Sequence, residues 1–274
     1  MQEVHVISVL LGALVGVILA LTGAGGAIIA VPLLIFGLHL VVADAAPIAL
    51  FAVSVSAASG AVLALKLGRV RYRAAGLIAL AGALASPAGL LIAKSSPDAL
   101  LTLAFALVMA FVAFRMFRQT IASSAGGENS VPRSVPCQLN SSTGRLRWTR
   151  PCAGSLALSG ISAGFLSGLL GVGGGFIIVP ALRKATDLQM KSIVATSLAV
   201  IALVSAAGVL SAVLMGKMNW SIAIPFTSGA VAAMLLVSAV AHRFSGAKLQ
   251  QAFAILSGCV AVGMIVKAVV SIVN

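Results

Sequence analysis

The sequence is short of charge, and of acid above all. Only 8% of its 274 residues are charged, with five acidic residues against 18 Lys and Arg. Soluble domains carry about a quarter of their residues charged, so too few remain here to coat a globule. Glu3, Asp44, Asp98, Glu128 and Asp187 all fall in loops or near the ends of apolar runs. No carboxylate lies deep in a run, which argues against an Asp/Glu proton relay and leaves nothing to repel an anionic cargo. Three His residues, His5, His39 and His242, are scattered near run ends and form no metal-ligand spacing. Aromatics make up 5%, and no basic stripe alternates with them, which argues against nucleic acid despite the net charge of +13. Three cysteines make no disulfide framework. No Lys or Arg precedes the first apolar run, so the N-terminus does not read as a cleaved signal.

What is present is apolar. Hydrophobic residues make up 61% of the chain, and the mean hydropathy is +1.16. One core of this length could not hide that much apolar surface, so the pattern predicts an all-α integral membrane protein, with the bilayer as its partner. About eight hydrophobic segments can be read: 6–38, 40–65, 74–93, 99–117, 156–182, 193–215, 222–241 and 249–273. The chain divides into a first transmembrane repeat (1–118), a polar linker expected in the cytoplasm (119–152) and a second repeat (153–274). Cys137 and Cys152 fall in that linker. Free thiols are expected there if it faces the cytosol, a disulfide being the alternative. Tyr72, Trp148 and Trp220 sit at polar boundaries, where aromatic belts form.

The halves are copies. A shift of 148 positions lays Gly12 on Gly160, Gly16 on Gly164, Gly23 on Gly171, Gly26 on Gly174, Pro32 on Pro180, Gly60 on Gly208 and Phe105 on Phe253, without a gap. Internal duplication of this kind is typical of transporters.

Each half opens with a run too long for one span and too short for two. As one helix, 6–38 would measure roughly 50 Å at 1.5 Å per residue, against a hydrocarbon core of about 30 Å. Glycine clusters split both runs, at 23–26 and 171–175. Glycine weakens a helix interior and adopts φ > 0 freely, so each run reads as a helix, a break inside the membrane and a second part-helix loosened by Pro32 or Pro180. Broken backbone at that depth must be buried in protein or line a cavity. The free N–H groups that begin the second piece form an anion site. The pairs Gly12/Gly16 and Gly160/Gly164 read instead as close helix packing. If the broken runs are re-entrant, the halves are inverted and 15 of the 18 basic residues share one side; with parallel halves, 12 do. The positive-inside rule favours the inverted arrangement.

The segment 171–182, its weaker copy at 23–34, Ala195-Thr196-Ser197-Leu198 and the 216–220 turn together resemble the sulfite exporter TauE/SafE family. The resemblance covers both repeats. It implies a multi-pass permease of the bacterial cytoplasmic membrane for small sulfur-containing anions such as sulfite or organosulfonates, without a cofactor or catalytic residues. The first half departs from the pattern with Ala27 where the second has Gly175, and with Ile48-Ala49 where the second has Thr196-Ser197. More of the polar contacts are therefore expected in the second half. Gly164 to Gly168 superficially resembles an intramembrane serine-protease motif, but no His lies in a span interior to activate Ser167. A transporter of another small anion or a neutral metabolite is the nearest alternative, and a structural membrane subunit a further one.

The candidate substrate-binding residues are Gly23, Gly25, Gly26, Ala27 and Pro32 in the first half. In the second they are Gly171, Gly173, Gly174, Gly175, Phe176 and Pro180, with Thr196 and Ser197 as hydroxyl donors. The expectation is one midplane site between the halves, opened alternately by their rocking. Arg69, Arg71 and Arg73 are read as interface anchors, with gathering of anions at the mouth as the lesser role.

Overall fold

The computed structural model describes residues 2–23, 26–124, 137, 149–216, 218–240, 255 and 257–266. Gly25, Trp148, His242 and Glu128 lie outside them. The described residues are helical apart from turns and one bridge pairing Cys137 with Thr186. The elements are α1 (Gln2–Thr22), α2 (Gly26–Gly37), α3 (Val42–Lys66), α4 (Tyr72–Ser95), α5 (Asp98–Ser124), α6 (Arg150–Leu170), α7 (Gly175–Ala185), α8 (Met190–Leu214) and α9 (Trp220–Val240). A further segment, α10 (Ser257–Val266), falls in the last apolar run. Six helices, α1, α3, α4, α6, α8 and α9, are long and apolar enough to cross a membrane. Large apolar side chains point outward along them, including Leu10, Leu84, Leu158, Leu214 and Leu236. Such a surface is stable against lipid and not against water. This is an integral membrane protein.

Helix reaches into both ends of the expected 119–152 linker: α5 continues to Ser124, and α6 starts at Arg150. The cause at α6 is local. Thr149 caps the helix by accepting from the Cys152 N–H at 3.3 Å, with Pro151 in the first turn, where its missing donor costs nothing. The expected free thiols are corrected too. Cys137 and Cys152 form a disulfide. The Cys137 N–H donates to Ala185 at 3.0 Å, which holds it over the end of α7 beside the first turn of α6.

Both long opening runs fold back as hairpins. Gly26 lies against Val15 and Leu19, whereas Gly37 lies against Leu11, so α2 returns antiparallel along α1. Gly174 meets Ala163 in the second hairpin. The breaks need glycine: Gly23 and Gly171 have φ 72° and 73°, and Gly174, at the start of α7, has φ 67°. A side chain is strained in that region. Pro32 and Pro180 lie inside continuous helices and do not break them.

The glycine pairs set how the halves interlock. Gly12 and Gly16 of α1 meet the backbone of Phe226 and Ala230 on α9, while Gly160 and Gly164 of α6 meet Ile78 and Gly82 on α4. The second set is the first moved by the repeat shift. Both pairs rise together along the chain, so α1 is parallel to α9, and α6 to α4. On the central pair the order reverses, with Leu50 against Gly208 and Gly60 against Leu198. Thus α3 and α8 are antiparallel. Ser54 Oγ donates to Ala202 at 3.0 Å, across a separation of 148 residues. A residue touching its own repeat mate marks the pseudo-twofold axis at the middle of α3 and α8.

The two ends of the bundle differ in charge. At the end where α3 finishes and α4, α6 and α8 begin lie Lys66, Arg69, Arg71, Arg73, Arg150, Arg183, Lys184 and Lys191. Asp187 is there as well. The opposite end has Lys94 with Glu3, Asp44 and Asp98 at helix starts.

Candidate substrate site

The candidate residues fall into two clusters, not one. Each hairpin tip touches the third helix of the other half. Gly23 packs on Val194 of α8, and Gly171 packs on Ala46 of α3. Val194 lies two turns from the axis on one side and Ala46 two turns on the other. Along α8, Ala212 shares an apolar pocket with Ala46, so the tips are roughly 27 Å apart at 1.5 Å per residue. The expected single cradle, with N–H groups from both glycine clusters on one ion, does not form in this arrangement. The antiparallel axis sends equivalent residues to opposite ends of the bundle.

The cluster at the basic end is polar. Thr196 and Ser197, both 0% exposed, stand in the second turn of α8. Ser197 Oγ donates to Val194 O at 2.8 Å and lies 3.4 Å from Gly23 O. Thr196 Oγ1 accepts from the backbone N–H of Arg71 at 3.1 Å. That bond draws the α3–α4 connection across α8. Arg71 is half-buried, and its Nε is buried without a hydrogen-bond partner. Sequence reasoning brought Thr196, Ser197 and Gly23 forward but left Arg71 at the interface. The only available signal was its place three residues past Gly68, the turn with φ 66°.

At the other end the equivalents of the hydroxyl pair are apolar. Ile48 and Ala49, the counterparts of Thr196 and Ser197, are fully buried. The pocket beside them is lined by Ala46, Pro47, Leu90, Gly168, Gly208 and Ala212, with Lys94 its charged contributor. Nearby Ser86 and Ser167 are buried, and neither hydroxyl has a hydrogen-bond partner.

Several candidates serve the backbone. A Cβ on Gly26 would meet Val15 and Leu19, and one on Gly174 would meet Ala163, so these glycines let the hairpins close. Gly173 shares the left-handed geometry of the tip at φ 69°. Gly175 begins α7, and Pro180 lies within it beyond the half-buried Phe176. Pro32 is buried in the body of α2, in whose first turn Ala27 stands.

The family model for the sulfite exporter TauE/SafE matches residues 8–264. The chain belongs to the TauE/SafE sulfite exporter family. A probable membrane transporter protein of Xylella fastidiosa (strain Temecula1) is 31% identical over 269 residues, covering 96% of this chain and 95% of the relative. One of Bacillus subtilis (strain 168) is 25% identical over 233 residues, covering 82% and 84%. No solved structure matches. This family member, like those relatives, is a membrane transporter.

Proposed function

We propose that the protein is a permease of the cytoplasmic membrane that moves a small sulfur oxyanion or organosulfonate outward. The observation that carries this reading is the basic-end cluster, in which buried Thr196 and Ser197 stand where the first hairpin turns and Thr196 holds the backbone N–H of Arg71, whose Nε is buried without a partner. Hydroxyl and guanidinium donors suit sulfonate-type oxygens. The family adds the sulfur-anion class to that chemistry.

The positive-inside rule assigns the basic end to the cytoplasm, and this reading takes the charge bias over the Cys137–Cys152 disulfide at that end, a bond that by itself favours an oxidising compartment. The contact registers support halves of opposite orientation. The hairpin of the first half enters from outside and that of the second from the cytoplasm. Rocking of the halves about the α3–α8 axis gives alternating access. An inside-negative potential favours departure of an anion by about 2.3 kcal/mol per charge per 100 mV.

The test is counterflow. Proteoliposomes preloaded with unlabelled sulfite, sulfate or a small sulfonate are supplied with labelled sulfite. Exchange with part of that panel is expected. Absence of exchange from monodisperse protein would remove the sulfur-anion reading and leave another small anion as cargo.

A further inference from the structure

We propose that Arg71 carries the anion's charge at a loading site built on the basic end alone, so that the carrier is chemically one-sided although its fold is nearly symmetric. This rests on the anion-permease reading. Three observations combine. The backbone N–H of Arg71 is fixed to Thr196 at 3.1 Å, which sets the root of its side chain beside the hydroxyl pair. Its Nε is buried without a partner, leaving a donor unused on a residue whose backbone is tied to fully buried Thr196. Unsatisfied donors of this kind are costly, and an arriving oxyanion would satisfy this one.

The repeat shift supplies the control within the molecule. It carries Arg71, Thr196 and Ser197 onto Asn219, Ile48 and Ala49, so the counterparts supply neither the guanidinium nor the hydroxyl pair, and the polar groups at the opposite end are instead Lys94, Ser86 and Ser167, on other positions. Packing by itself would not distinguish the two ends, because Gly23 on Val194 repeats as Gly171 on Ala46. The chemistry differs where the geometry does not. The ligand class is a small oxyanion with at least two oxygens on one face, matched to the fork of a guanidinium. Arg69 and Arg73 flank the site but are exposed.

The experiment measures half-saturation for sulfite counterflow from each face of oriented proteoliposomes, in wild type, Arg71→Gln, Arg71→Lys and the exposed-neighbour control Arg69→Gln. Wild type should half-saturate at lower concentration from the basic face. Arg71→Gln should raise that value about tenfold and bring the two faces together. Arg71→Lys should fall between, because it keeps the charge and loses the fork. Arg69→Gln should stay within about twofold of wild type. Thr196→Val should move in the direction of Arg71→Gln, and it serves in that variant's place if Arg71→Gln aggregates. Arg71→Gln, or Thr196→Val in its place, with wild-type half-saturation from both faces would overturn the proposal while leaving the permease standing. A wild type that exchanges no anion would overturn the permease reading itself.

Discussion

At the scale of single residues, the glycines separate by what stands over them. Gly164 faces the backbone of Gly82, whereas Gly76 and Gly154 face open space. Gly164→Val should therefore destabilise the folded protein by more than about 2 kcal/mol, since backbone cannot yield as a flexible side chain can. Gly154→Ala should be neutral or better. Melting in detergent, followed by loss of the monodisperse peak, checks both. Ser54→Ala removes the bond to Ala202 and should cost only about 0.6 kcal/mol, the mean for such bonds between membrane helices. Gly174→Val tests the hairpin and not the ligand, because a side chain there is strained in φ and meets Ala163. Loss of the melting transition together with transport is the expected result. Sequence alone identified Gly12, Gly16, Gly160 and Gly164 as packing residues, because their spacing is that of close helix contact. It could not give Arg71 its neighbour. The bond to Thr196 joins residues 125 apart, and no local pattern encodes such a distance.

At the scale of elements, the breaks were legible from a length argument, since each run exceeded one span and held a glycine cluster; that each break is a hairpin and not a kink rested on the charge count alone. What the runs do not encode is where a tip lands. Gly23 touches the opposite half, so the two glycine clusters that look like one site in the sequence are separated by the body of α8. The linker boundaries shifted for a reason the sequence did contain, the Thr149 cap and Pro151, hidden by their polar surroundings. Cys137 is fixed by the bridge to Thr186, a pairing across α6 and α7 that composition does not signal. Its disulfide makes a direct prediction. Alkylation of the unfolded, unreduced chain should modify Cys259 alone, the described free cysteine. After reduction, mass spectrometry should find three labels. Three labels before reduction would show that the linker is not covalently tied to α6 in the membrane of origin.

At the scale of the whole molecule, the register of contacts gives the relative direction of the helices without reference to any membrane, and the charge of the two ends supports the proposed facing of the bundle. In membranes of intact cells, an impermeant maleimide should label Ser96→Cys from outside and leave Arg69→Cys unlabelled until the cells are opened. The reverse pattern would turn the proposed loading site outward. The duplication and the helical class were open in the sequence because a gapless shift and long apolar runs are local facts. The interlocking of the halves was not, because it depends on which glycine faces meet. That interlocking bears on how the chain is made. When α6 emerges during synthesis, α4 is already in the bilayer to receive it. The first helix has no such host, since α9 lies roughly 200 residues downstream, a delay of roughly 10 to 40 s at about 5–20 residues per second. Two equivalent interfaces thus close at unequal times, and the glycine face of α1 must stand unpartnered until the last third of the chain arrives.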